Sequence, residues 1–167
     1  RTLADGTDPL GSLERTAAEI ADAGGTAIPV ACDHTDAAQV EALFDRIADE
    51  QGRLDVVVNV ASPTFTDMVG VPFWERPVDD MTSCLMVGPW SRSSTTVHAA
   101  RRFMVPQQSG VVINISSHGA DAYLLSVAYG AGKAAIDRIT RDTALELKPH
   151  GVAVVSLFTM FVASLRA

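Results

Sequence analysis

The chain has 167 residues, 47% hydrophobic and 20% charged, a composition that fits one globular domain and excludes a disordered segment. Its net charge of −7, with no basic cluster beyond Arg101–Arg102, speaks against a nucleic-acid partner. No apolar run is long enough to span a membrane, no secretory signal opens the sequence, and Cys32 and Cys84 stand far apart in no metal-ligand spacing, so a single cytoplasmic domain over residues 1–167 is expected, with no membrane association, disulfide framework or metal.

Residues 12–23 (SLERTAAEIADA) predict a helix, with Ser12 as its N-cap and Gly24–Gly25 as its stop. The short apolar run 26–33 (TAIPVACD) predicts a strand. Residues 36–52 carry Val40, Leu43, Phe44 and Ile47 at helical spacing between the cap Asp36 and the terminator Gly52. The run 54–59 (LDVVVN) lacks polar alternation and predicts a strand buried on both faces. A helical pattern over 72–105 is interrupted by Pro77 and by Gly88–Pro89, which should start, bend or split it. A second buried strand is expected at 110–116 (GVVINIS), a helix at 127–148 ending before Pro149 and Gly151, and a last strand at 152–157 (VAVVSL). Phe44, Ile47, Phe103 and Met104 read as core. Four αβ units in succession imply an α/β fold with a parallel, doubly wound sheet.

Ligands of such sheets bind beyond the carboxyl ends of the strands. Asp33, Asn59 and Ser116–Ser117 follow the apolar runs there, either as turn and cap residues or as the rim of a site. Further along, SVAYGAGKAAIDR (126–138) sets Tyr129 and Lys133 four positions apart on one helix, among small residues. By chance these are two amphipathic side chains on a solvated face. As a pair they are a phenol beside an ammonium. A free phenol has a pKa of ~10, and a nearby positive charge favours its anionic form. Two glycines inside a helix cost about 1 kcal/mol each against alanine, so Gly130 and Gly132 point to a close approach. His118 follows Ser117 and raises a serine hydrolase as a minor alternative, although the chain contains no G-x-S-x-G elbow. His34, His98 and His150 lie in no metal-binding spacing. Asn114, inside a strand, is expected to bond neighbouring backbone or water.

VACDHTD (30–36), NVAS (59–62), INISS (113–117) and Tyr129-Gly-Ala-Gly-Lys133, in this order, resemble the short-chain dehydrogenase/reductase family over essentially the whole chain. The resemblance implies a Rossmann-like, three-layer fold and an NAD(P)-dependent interconversion of a carbonyl and a secondary alcohol. Catalytic roles would fall on Ser117, Tyr129 and Lys133, with Ser116 as the fallback for the serine. Cofactor contacts would fall on Asp33, Asn59, Ala61, Tyr129, Lys133 and Val162, and on Arg1, whose position favours NADP(H) over NAD(H). It also implies a homodimer or homotetramer paired through the helices at 72–105 and 127–148, an interface that Pro89 would disturb.

Several positions depart from the family pattern. No strand with a glycine-rich turn precedes residue 12, so the family's first two strands are expected to be missing, which would strip the strand at 26–33 of its neighbour and bare an edge of the strand at 54–59. Val60 and Ser62 alter the Asn-Asn-Ala-Gly turn, and Leu85 stands three residues before Gly88 where many members carry an asparagine. Thr159-Met160 replaces Pro-Gly near the end, and Ser164 replaces a threonine. These departures leave a second expectation open, a catalytically incompetent remnant that binds cofactor weakly or not at all.

Overall fold

The computed structural model describes residues 12–63 and 70–159. Ser12 caps α1 (Leu13–Asp22), its hydroxyl accepting from the Arg15 N–H at 3.2 Å. Asp36 caps α2 (Ala37–Gln51) by accepting from the Ala38 and Gln39 N–H groups at 2.9 and 3.3 Å, and Gly52 closes it at φ 65°. Between the two helices the strand expected at 26–33 does not form, because no described residue pairs with it. An extended segment becomes a strand only when a neighbour takes its backbone groups, and Pro29 has no N–H to offer one.

Among the described residues three strands, rather than four, make the sheet: β1 (Val56–Asn59), β2 (Gly110–Ser116) and β3 (Val152–Phe158), all parallel, in the order β1-β2-β3. Val57 lies opposite Val112, and Val112 opposite Val154. Helices cover the face that these residues share. Val40 and Phe44 of α2 pack there with Ala99, Phe103, Met104, Val112, Val152 and Val154, all buried. Each such valine or phenylalanine contributes roughly 1.5–3 kcal/mol by leaving water. Among the described residues nothing covers the opposite face, where Val58 is 53% and Leu157 51% exposed. The expected burial of 54–59 on both faces fails for this reason. β1 is an edge strand in the sheet, and only its Val57 side meets the core.

The interrupted helix becomes a 3₁₀ turn (Phe73–Glu75) followed by one helical rod. The rod comprises α3 (Asp79–Leu85), a π turn (Met86–Trp90), α4 (Ser91–Ala99), a second π turn (Ala100–Met104) and α5 (Val105–Gln107). Pro77 stands just ahead of it, with Asp79 and Asp80 in the first turn of α3, where the helix dipole favours carboxylates. Gly88–Pro89 sits inside the first π turn, and Pro89 is buried within the chain. A proline lacks the N–H that an α-turn needs, and the wider π turn carries the rod past it without a break. Helix α6 (Val127–Leu147) is capped by Ser126 and ends in a 3₁₀ turn through Pro149 to Gly151, at φ 69°.

The turn at Gly151 is confined as well as left-handed. A Cβ there would lie 2.4 Å from the Gln108 carbonyl oxygen, whereas one on Gly52 would meet nothing within 4 Å. Gly52→Ala should cost about 1 kcal/mol, the price of a left-handed residue. Gly151→Ala should cost at least about 2 kcal/mol, since the loop before β2 must also move. The midpoints of urea unfolding for the two variants check the ranking.

Candidate active site

β2 delivers Ser117 and α6 delivers Tyr129 to one place. The Ser117 hydroxyl and the Tyr129 phenol share a hydrogen bond of 2.7 Å, and both side chains are buried. The Gly119 N–H donates to Ser117 Oγ at 3.2 Å, and the Ser126 hydroxyl accepts from the Tyr129 backbone N–H at 3.2 Å. The phenol ring occupies space that only glycine leaves open, because a Cβ on Gly119 would fall 2.4 Å from Tyr129 Cε1. Ser116 points the other way, its hydroxyl buried without a partner. Strand alternation explains the difference, since Ser116 shares the covered face with Asn114 while Ser117 lies past the strand end.

One turn further along α6, Lys133 is buried with its ammonium 5.5 Å from the centre of the Tyr129 ring. It donates to the Ile115 carbonyl at 3.4 Å. Burial, and after it the nearby Arg92 guanidinium, push Lys133 down to about 8, against the opposing pull of Asp137 and Cys84. The small residues between Tyr129 and Lys133 serve close approach to two backbone carbonyls. A Cβ on Gly130 would lie 3.2 Å from the Gly119 carbonyl oxygen, and one on Gly132 3.2 Å from that of Cys84.

The remaining expected residues divide. The Asn59 amide donates to Asn114 Oδ1 at 2.9 Å and accepts from the Thr95 hydroxyl at 2.8 Å, and Asn114 donates on to Thr140 at 2.9 Å. Asn114 thus bonds the side chains of Asn59 and Thr140, and Asn59 is held inside a network joining β1, β2, α4 and α6. Ala61 offers its carbonyl to Arg92 at 2.9 Å. Asp33 is exposed. Its carboxylate accepts from the Thr35 N–H and hydroxyl at 2.9 and 2.7 Å, bonds that hold it below the usual carboxylate range. Arg1 and Val162 lie outside the described residues. His118 packs its ring against Phe158, and among the described residues the partners of Ser117 Oγ are Tyr129 and Gly119, so no serine–histidine pair forms.

The sequence reading missed Arg92. It is 1% exposed and donates to the carbonyls of Ala61, Gly88 and Ile115 at 2.9, 3.0 and 3.2 Å. Burial alone pulls its guanidinium down to about 10. The available signal was its place four residues after Gly88, on the same helix face as the break. Ser62, Pro63, Cys84, Arg92, Tyr129 and Lys133 together line a narrow cleft.

A parallel α/β sheet thus gathers serine, tyrosine and lysine beyond one strand. The chain belongs to the short chain dehydrogenase family, whose pattern it matches over residues 8–165. It is 39% identical over 153 residues to dehydrogenase/reductase SDR family member 1 of Homo sapiens, covering 89% of this chain and 49% of that protein. Among solved structures it is similar to a metagenomic short-chain oxidoreductase in complex with NADP, with a TM-score of 0.77 and 27% identity, covering 90% of this chain and 66% of that one. NAD+-bound xylitol dehydrogenase gives a TM-score of 0.79 and 26% identity, over 86% of this chain and 54% of that one. The chain spans about half the length of the curated relatives it matches.

The lowered lysine has a consequence for stability. Lys133 keeps its proton up to the ordinary value of 10.5 when unfolded and only up to about 8 when folded. Between these values the unfolded state binds more protons, so stability rises with pH across that window, and below it the full cost of the buried charge is present. That cost is on the order of 3 kcal/mol at about 1.4 kcal/mol per pH unit. Lys133→Met should therefore melt above the parent at neutral pH, and its advantage should shrink as pH climbs past about 8. Calorimetric melting of both proteins across this range measures it.

Proposed function

We propose that this chain carries the reacting part of an NAD(P)-dependent oxidoreductase that interconverts a carbonyl and a secondary alcohol. The 2.7 Å contact between Ser117 Oγ and Tyr129 Oη, with the buried Lys133 behind it, supports this most directly. The residues present suit the nicotinamide end of such a cofactor. Lys133 has three N–H donors and a single carbonyl partner among the described residues, which leaves donors for ribose hydroxyls. When bound, the cofactor supplies or takes up the hydride.

A substrate oxygen placed between Ser117 and Tyr129 would exchange their mutual hydrogen bond for one from each. In the reducing direction, as hydride reaches the carbonyl carbon, the C=O π pair moves to the oxygen. Ser117 donates a hydrogen bond to that growing negative charge. Tyr129 transfers its phenolic proton to the oxygen, and the positive charge of Lys133 stabilises the phenolate left behind. The reverse direction runs through the same groups, with Tyr129 as the base.

The similar structures hold NADP in one case and NAD+ in the other, so both cofactors fit the reading, and a preference for NADP(H) rests on Arg1. Pairing of two copies through the α3–α5 rod and α6 belongs to the same proposal, supported by exposed Leu85, Val97 and Leu145 on these elements. Among the described residues no helix is long and apolar enough to cross a membrane, and free Cys32 and Cys84 suit a reducing, cytoplasmic setting.

Thermal melting with NADPH and NADH tests the cofactor half, since a ligand that binds only the native state raises its melting temperature. A rise with either supports the reading, and no rise at millimolar levels of both overturns it in favour of a non-binding remnant. Tyr129→Phe should lower turnover of a ketone by at least about a hundredfold while the cofactor still binds. Unchanged turnover in that variant would show that the phenol does not move the proton.

A further inference from the structure

Arg92 is buried as deeply as any large side chain in the described residues, and among those residues no carboxylate pairs with it. Burying an unpaired cation is costly, so its bonds have to bring something in return. They reach three separate segments. Ala61 lies in the turn after β1, Val87 and Gly88 lie in the first π turn, and Ile115 lies in β2, two residues ahead of Ser117. The π turn makes the arrangement possible, because its carbonyls take side-chain donors: the Ser91 hydroxyl donates to Val87 at 2.6 Å, and Arg92 bonds Gly88 at 3.0 Å. From the other side, Lys133 donates to the same Ile115 carbonyl that Arg92 bonds.

We propose that Arg92 is a positioning residue for this site, its planar fork tying the turn after β1 and the serine-bearing strand to the π turn, and sharing the Ile115 carbonyl so that Lys133 stays aligned with Tyr129. The catalytic meaning of this role rests on the oxidoreductase reading, whereas the coupling between the two cations does not. Lys133 is faced by Arg92 from α4, Cys84 from α3, and Asp137 and Tyr129 of its own helix. Arg92 is the cation of this set, and it disfavours the lysine's charge.

Arg92→Lys and Arg92→Met separate the charge from the fork. A lysine keeps the charge and loses the two-armed span from Ala61 to Ile115, and a methionine loses both. Brief pulses of acetic anhydride over a pH series, with Lys133 acetylation read by mass spectrometry, report its protonation in ligand-free protein and need no turnover. The parent midpoint should fall near 8. It should move up in Arg92→Met and stay in place in Arg92→Lys, a pattern that simple loss of packing would not produce. NADPH and NADH titrations of Arg92→Lys should show cofactor affinity weakened by about tenfold or more.

A Lys133 midpoint that does not move in folded Arg92→Met overturns the coupling. Parent-like cofactor affinity in Arg92→Lys overturns the positioning role, and does so even if Arg92→Met fails to fold. A parent that binds neither cofactor overturns the oxidoreductase reading instead, and the labelling result still decides whether Arg92 governs Lys133.

Discussion

Two cations converge on one backbone oxygen. Arg92 from α4 and Lys133 from α6 both donate to the Ile115 carbonyl; Asp137 offsets part of the lysine's charge, and among the described residues no carboxylate pairs with Arg92. In water such a pair would separate, but here burial in the covered face holds them. Like charges in a region of low polarisability repel strongly, so the structure must spend packing energy to keep them there. Glycine in α6 is how it does so. Gly130 lets the helix rest on the Gly119 carbonyl, and Gly132 lets it rest on the Cys84 carbonyl. An alanine at either position would push the helix outward by a few tenths of an ångström and carry Tyr129 and Lys133 with it.

The sheet prepares this site by grading its covered face from apolar to polar. Along β2 the buried positions run Val112, Asn114, Ser116 toward the carboxyl end. Val112 sits in the apolar core with Phe44 and Phe103, and two residues later Asn114 joins Asn59, Thr95 and Thr140 in side-chain hydrogen bonds. Apolar packing is tolerant of small slides, whereas a closed set of amide and hydroxyl bonds is not, since a slip leaves buried donors unpaired. The network therefore fixes how β1, β2, α4 and α6 meet immediately below the site. It also accounts for Asn59, whose amide is engaged with neighbouring side chains rather than turned outward.

How much of this was legible in the sequence follows from how local each feature is. Caps at Ser12 and Asp36, the stop at Gly52 and the extent of α6 depend on residues a few positions apart, and they read correctly, whereas Gly88–Pro89 widens the rod into a π turn without splitting it. The strand at 26–33 and the two-sided burial of 54–59 did not, because an apolar run records a preference for leaving water and not the presence of a partner. The bare edge of β1, in contrast, was foreseeable from a topology lacking its neighbours. The spacing of Tyr129 and Lys133 put them on one helix face, and the structure brings Tyr129 to Ser117, which lies just past the end of β2. Arg92 carried only a faint signal, its place four residues after Gly88, because among Ser91, Ser93 and Ser94 an arginine reads as solvated.

The site divides by topology. Ser117, Tyr129 and Lys133 come from one continuous β2–α6 unit, steadied by Arg92 from the helix packed beside it. Each of these contacts lies on the covered face of the sheet or at its carboxyl rim, so the reacting geometry depends on none of the exposed positions of the other face. Asp33 belongs to the segment ahead of α2 and bonds Thr35 and Gln39 there. The compact unit keeps its two buried cations in order against a stability cost, and it does so without help from the Asp33 segment.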